Sequence, residues 1–289
     1  MKRKLIVTLV ATALELYAAT AGAQAGCGLV GNATTASGAT AVTTGPLNPI
    51  DGFPEYITDS TGLSVQRCTN ANFCFFDPVV PTDPFSLQIG TGGEAFYWGA
   101  DATLDSGGRR VATVVMAAES AFLQAGPNGE PIDGTQFPFL RLRFTIGVPT
   151  DGTYTVTHPF GVDKFTVVGA TGARDIFSTV DRGLSPSTPG QLGPVGPWLK
   201  WDPAALLPGS VIPAGYLGDS GPNGVANRVI GSPCGRNTVT LTGVDTGGRA
   251  VTFAGGETAL TTNVFTVQGK IYDGKVQTPL NPTRLTYSR

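Results

Sequence analysis

Chemically versatile side chains are scarce in this chain. Histidine occurs once, at His158, methionine twice, and charged residues make up 14% of the sequence, against a typical ~25%. One histidine excludes a multi-histidine metal centre, and any Ser-His-Asp triad would have to use that residue. Basic residues number 19 and acidic ones 21, so no basic stripe is available for a phosphate backbone or an anionic membrane surface. Nucleic acid is therefore not an expected partner. No P-loop, dinucleotide fingerprint, HExxH or CxxC occurs, and nothing demands a cofactor. The N-terminal apolar run, Leu5 to Ala13, is shorter than the ~20 residues that cross a bilayer.

That run belongs to a different device. Lys2, Arg3 and Lys4 precede it, and Ala23-Gln24-Ala25 supplies small residues at −3 and −1 of a cleavage point. Residues 1–25 therefore read as a signal peptide, despite Glu15 late in the apolar region. Ala25-Gly26-Cys27 resembles the end of a lipobox, but Gln24 stands where an aliphatic residue is wanted. The chain is expected outside the cytoplasm, secreted or at the cell surface or periplasm, with no membrane span after cleavage. Removal of the segment leaves 264 residues with 16 basic and 20 acidic side chains, a formal charge of −4.

Glycine (40) and proline (22) together exceed a fifth of the chain. They punctuate turns, while the plentiful Thr and Val suit a pleated surface. Four cysteines, Cys27, Cys68, Cys74 and Cys234, remain in the exported chain, and an even number there reads as disulfides. Cys68 and Cys74 suit a small closed loop, which leaves Cys27 with Cys234. Four free thiols is the bland alternative, and zinc has neither the spacing nor a nearby histidine.

Residues 26–46 are small and polar, a lead-in whose start Cys27 ties down. Phe53 to Cys68 reads as a hairpin around Ser60-Thr61-Gly62, followed by a Pro-rich loop. Glu94 to Leu104 is an aromatic strand, and Val111 to Leu123 a long apolar strand after a Ser106-Gly107-Gly108 turn. Leu140, Leu142, Phe144 and Ile146 alternate with Arg141, Arg143 and Thr145, which predicts a half-buried antiparallel strand with Leu142 and Phe144 in the core and Arg141 and Arg143 facing solvent. Asp151-Gly152 and Phe160-Gly161 then suggest a three-strand meander through Tyr154–His158 and Phe165–Val168. Residues 183–233 hold many Pro and Gly with Trp198 and Trp201. Since a long structureless loop is improbable, they are expected to wrap the sheets with both tryptophans as anchors. Strands follow at 238–241, 250–253 and 263–272, too few to form a sandwich alone. The expected fold is an all-β antiparallel β-sandwich, Ig-like or jelly-roll-like, over residues 47–289. It forms one interlocked domain, or two packed sandwiches with a boundary near 170–200.

Several segments together carry a resemblance: Gly52-Phe53-Pro54 with Tyr56, the Cys68…Cys74 loop, Glu94-Ala-Phe-Tyr-Trp98, Tyr154-Thr-Val-Thr-His-Pro-Phe-Gly161, Gly196-Pro-Trp-Leu-Lys-Trp-Asp202, Gly215-Tyr-Leu-Gly-Asp219, Gly231-Ser-Pro233 and Phe265-Thr-Val-Gln-Gly-Lys270. Over roughly residues 45–289 the chain resembles an uncharacterised group of secreted bacterial β-rich modules. The resemblance implies a class and no activity. One departure is Cys234, where the group's pattern has an aromatic residue; a bridge to Cys27 particular to this chain would account for it.

The candidate chemistry is sparse. Gly218-Asp219-Ser220-Gly221 looks like a serine-protease nucleophile motif, but Pro222 follows it, and Gly-Asp-Ser-Gly-Pro-Asn-Gly is also a good turn. By strand parity His158 shares a face with Tyr154 and Val156, so a core histidine is the better reading. Glu94 and Glu119 are carboxylates in apolar strands and could serve as the acid–base pair of a glycoside hydrolase if they face one cleft about 5–9.5 Å apart. Strand edges or solvent are the commoner positions for such residues. Asp101 and Asp105 are a weak Ca²⁺ candidate, without a standard loop spacing. Trp198 and Trp201 could form a sugar-stacking platform, though buried anchors suit the sequence better. The sequence thus favours a non-enzymatic, exported protein with a surface, adhesive or matrix role and an unknown surface or polymer ligand. Its rival is an extracellular hydrolase of a polymer using Glu94 and Glu119.

Overall fold

In the computed structural model, residues 26–219, 221 and 225–274 are described. The proposed signal peptide and Ser220 lie outside the described residues. The elements in chain order are β1 (Thr35–Ser37), β2 (Thr43–Thr44), β3 (Ile57–Thr58), β4 (Ser64–Gln66), α1 (Pro84–Ile89), β5 (Glu94–Ser106), β6 (Arg109–Phe122), β7 (Gln136–Ile146), β8 (Gly152–His158) and β9 (Gly161–Val167). They continue with β10 (Ile176–Gly183), β11 (Lys200–Trp201), β12 (Asn227–Ile230), β13 (Val239–Asp245), β14 (Ala259–Thr262) and β15 (Val264–Ile271). Two sheets result. The smaller has five strands in the order β1-β9-β8-β13-β14, and the larger contains β10-β7-β6-β5-β15-β4-β3-β2. Both sheets are antiparallel. The expected all-β sandwich is what the chain forms.

The alternation in β7 does the work assigned to it. Leu140, Leu142, Phe144 and Ile146 are buried. They join Trp98, Met116, Tyr154, Val156, Phe160 and Leu241 in one core between the sheets. Each large apolar side chain so buried contributes about 1.5–3 kcal/mol. Strands from both ends of the chain share the sheets, since β15 pairs with β5 and β13 with β8.

The meander is a correction. β7 pairs with β6 and β10 in the larger sheet, whereas β8 and β9 form a hairpin in the smaller one. Residues 147–151 carry the chain from one sheet to the other. A tight Asp-Gly turn fixes a change of direction, not which neighbour the next strand takes. Residues 250–253 form no strand either. Val251 and Phe253 are buried in irregular chain that holds Val251 N–H to the Gly243 carbonyl (2.9 Å). In the Pro-rich stretch, the chain forms α1 instead of continuous loop. Asp83 caps it by accepting from Ser86 N–H, Pro84 occupies the first turn, and Gly90 ends it in the left-handed conformation (φ 74°).

Two disulfides close the chain, Cys27–Cys234 and Cys68–Cys74, as the spacing suggests. Such bridges fit an oxidising, extracellular environment. Trp198 and Trp201 are buried. Trp198 packs 5.2 Å from Trp98 and donates to the Leu63 carbonyl, while Trp201 donates to that of Phe265. They anchor the long loop, and their faces are consumed in packing. That removes them as a sugar-stacking platform. Among the described residues, no helix is long and apolar enough to cross a membrane.

Candidate functional site

Strand β5 carries an irregularity that creates the site. Its register against β6 shifts between Phe96 and Trp98. The extra residue, Tyr97, changes the parity of the strand, as a β-bulge does. Glu94 and Phe96 before it therefore share the outer face with Gly99 and Asp101 beyond it, while Trp98 and Ala100 enter the core. A strictly alternating strand could not put Glu94 and Asp101 on one face.

Across the outer face the register sets side chains in rows. Phe96, Glu119 and Phe139 stand opposite one another on β5, β6 and β7. The next row runs Gln268, Gly99, Ala117, Arg141 and Asp181 over five strands, and the next Thr266, Asp101, Val115, Arg143 and Thr179. Gly99 and Ala117 have almost no side chain, so the middle row opens as a cleft of about 250 Å³. Phe75 is 54% exposed at its rim. The Phe75 N–H donates to Gln268 Oε1 (2.8 Å), directly after the small loop closed by Cys68–Cys74.

One cation serves three acids here. Arg141 donates to Glu119 Oε2 (2.9 Å), forks onto Asp181 (2.8 and 2.7 Å), and lies 3.8 Å from Glu94 Oε1. Its guanidinium also covers the Phe139 ring at 4.7 Å. The expectation that Arg141 would simply face solvent is corrected, since its side chain is only 14% exposed. Glu119 is buried between aromatic neighbours. Burial first, then a hydrogen bond with Glu94 and that group's negative charge, push its pKa up to about 9, against the pull of Arg141. At neutral pH Glu119 is a carboxylic acid beside Glu94. Asp101 sits low in the cleft, and burial pushes its pKa to about 7.

Other sequence candidates do not assemble. Asp105 is exposed at the end of β5 and paired with Arg110 (2.9 Å). Four residues along a strand, about 13 Å, separate it from Asp101, so one Ca²⁺ cannot use both. Among the described residues no group of three or more Asp, Glu, His or Cys side chains is arranged to hold a metal ion. His158 is buried, with Nε2 on Asp163 (3.0 Å) and Nδ1 accepting from Phe160 N–H (3.3 Å). Thr35 also donates to Asp163 (2.8 Å). Both ring nitrogens are occupied, so His158 is a satisfied core residue with none left for a serine. Sequence reasoning missed Asp181, Gln268 and Phe75. They lie far from Glu94 and Glu119 in the chain, and only the strand pairing brings them together.

Comparison with family models, curated proteins and solved structures gives no match to this chain. The function must be read from the site.

Proposed function

We propose that this chain is an exported, non-enzymatic β-sandwich protein with a cell-surface, adhesive or extracellular-matrix role, and that the outer face of its larger sheet carries the ligand. The observation that supports this reading is the engagement of the two glutamates. Glu94 and Glu119 share a cleft, but both are turned onto the same arginine, at 3.8 and 2.9 Å, and the Glu119 side chain is only 1% exposed. Glycoside hydrolysis needs carboxyl groups about 5–5.5 Å apart for retention, or about 6.5–9.5 Å for inversion, with the scissile bond between them. A buried acid and a carboxylate turned onto one guanidinium are not placed to flank a sugar ring.

The hydrolase reading keeps one supporting observation, an acid held protonated next to a carboxylate in an open cleft. One screen separates the two. Mature protein is incubated with polysaccharides, polymeric esters and cell envelopes, with retention and product release both measured. The expected result is retention on at least one material without turnover. Product release that Glu94→Gln or Glu119→Gln abolishes, at a melting temperature no lower than that of wild type, would replace the binding role with catalysis.

A further inference from the structure

We propose that the cleft floored by Gly99 and Ala117 is a binding pocket for one uncharged, hydroxyl-rich ring, a single sugar unit of a glycan. The inference rests on the reading of the outer face as the ligand-bearing surface and names what that face takes.

The shape sets the size of the ligand. Gly99 and Ala117 are neighbours on adjacent strands, so the bare floor is about two strand spacings wide, roughly 10 Å. Phe96 and Glu119 wall one side and Asp101 and Val115 the other. The Arg141–Asp181 pair closes one end. At the other end Gln268 lies over Gly99, where an added methyl group would come 3.2 Å from Nε2. A space of about 250 Å³ falls below the ~300–1,000 Å³ of pockets for larger ligands. It suits one ring, not a running polymer.

The chemistry sets the class. Arg141 is already shared among three carboxyl groups, so it offers no spare charge to a phosphate or sulfate. Glu94 and Asp181 oppose any further anion. Among the described residues no metal-ligand cluster is present, which leaves a bound cation without a built seat. The groups that remain suit hydroxyls: Glu94, whose side chain is 36% exposed, and Asp101 offer carboxyl oxygens, and Gln268 brings an amide whose Oε1 is held by the Phe75 N–H. Phe75 and Phe96 add apolar surface for the C–H face of a ring. The small disulfide loop holds Phe75 outward, which gives a reason for a large aromatic residue to be 54% exposed there.

The test uses the full mature protein and a panel of neutral methyl glycosides (gluco, galacto, manno, xylo, fuco and N-acetylglucosamine forms), followed by protein NMR. At least one should bind saturably and shift the backbone amides of Gly99, Ala117 and Gln268. Ala117→Leu fills the floor and should weaken binding roughly tenfold or more, about 1.4 kcal/mol. Phe75→Ala, at an exposed position, should weaken it several-fold without altering the melting temperature. If Ala117→Leu does not fold, Phe75→Ala and Gln268→Glu carry the test alone. Absence of binding across the panel overturns the pocket, as does undiminished affinity in the folded variants. Shifts of the same amides by a casein digest, with none by the glycosides, also overturn the sugar assignment. Retention on a polymer without glycoside binding would sink this pocket and leave the adhesive role standing. Glycoside binding without retention on any polymer or envelope would do the reverse.

Discussion

Two arginines approach β6 from opposite faces, and the contrast between them separates structure from site. Arg67 reaches the inner side of Ser120. It pairs with Asp51, donates to Ser120 Oγ (2.9 Å) and Thr91 Oγ1 (3.0 Å), and lies 4.8 Å over the Phe53 ring. Arg67 and Asp51 are both almost fully buried. One cation meets one anion, each guanidinium nitrogen has a partner, and the pair is closed off from solvent. Arg141 lies on the other side, beside Glu119, the residue before Ser120. There one cation faces three acids, one acid stays protonated, and the cluster opens into a cleft. Both clusters are arginine–carboxylate pairs. The stoichiometry and the opening distinguish them.

Breaking the sealed cluster should be costly. Arg67→Met strands Asp51 in the interior and should cost about 3–5 kcal/mol, measured by chemical denaturation. Arg141→Met should cost about 1 kcal/mol, because Glu119 is already neutral and Asp181 reaches water. Adding Asp51→Leu to Arg67→Met should recover much of the loss, since an apolar pair needs no counter-charge. Equal losses from the two arginine changes would erase the contrast.

The disulfides extend the same comparison. Cys27–Cys234 closes a separation of 207 residues and Cys68–Cys74 one of 6. The loop-entropy relation gives about 5 and about 2 kcal/mol respectively, with measured values often smaller. Replacing both cysteines of the long bridge with serine should therefore lower the melting temperature more. Replacing Cys68 and Cys74 should lower glycoside affinity more, since their loop holds Phe75. A long-bridge variant that loses affinity at full stability would contradict this division.

The two faces of β7 offer a third comparison. Phe144→Ala should cost about 3–5 kcal/mol. Arg143→Ala, half-buried on the outer face with one hydrogen bond to Thr179 (3.0 Å), should fall within about 0.5 kcal/mol of wild type. Comparable losses would mean that the outer face is part of the core.

Much of this was legible in the sequence, for identifiable reasons. Period-two alternation exposed β7, and charge inside apolar runs singled out Glu94 and Glu119. Cysteine spacing suggested both bridges. Other features depend on distant chain. The Asp151-Gly152 turn could not say which sheet β8 joins. The bulge at Tyr97 inverts parity in mid-strand, so no uniform pattern could align Glu94 with Asp101. Arg141 looked solvent-facing because its partners, Glu119 and Asp181, come from two other strands. Gln268 and Phe75 carried no local signal at all.

The last effect is confined to a pH window, at Asp101, and it tests whether the outer face is a dry cleft or ordinary surface. Burial raises its pKa to about 7, above the unfolded value of ~3.9. Between about pH 4 and 7 the folded chain then holds a proton that the unfolded chain has lost. Stability from this group is full below about pH 4, falls as pH rises toward 7, and levels off above it. Asp101→Asn cannot lose that proton. Its melting temperature should match wild type at pH 4 and exceed it at pH 7 and above. Asp101 is only half-buried, so solvent screening keeps the gain to about 1–2 kcal/mol. Of the decline left in the variant, the part reaching to about pH 9 belongs to Glu119, and Glu119→Gln should remove that part, while Asp77 and the buried Tyr97, both raised by burial, keep their own shares at the acid and alkaline ends. The two windows can be told apart by melting curves at pH 4, 7 and 10. Parallel curves for wild type and Asp101→Asn across all three would show that Asp101 titrates as an exposed carboxylate, and the outer face would lose its claim to differ from the rest of the surface.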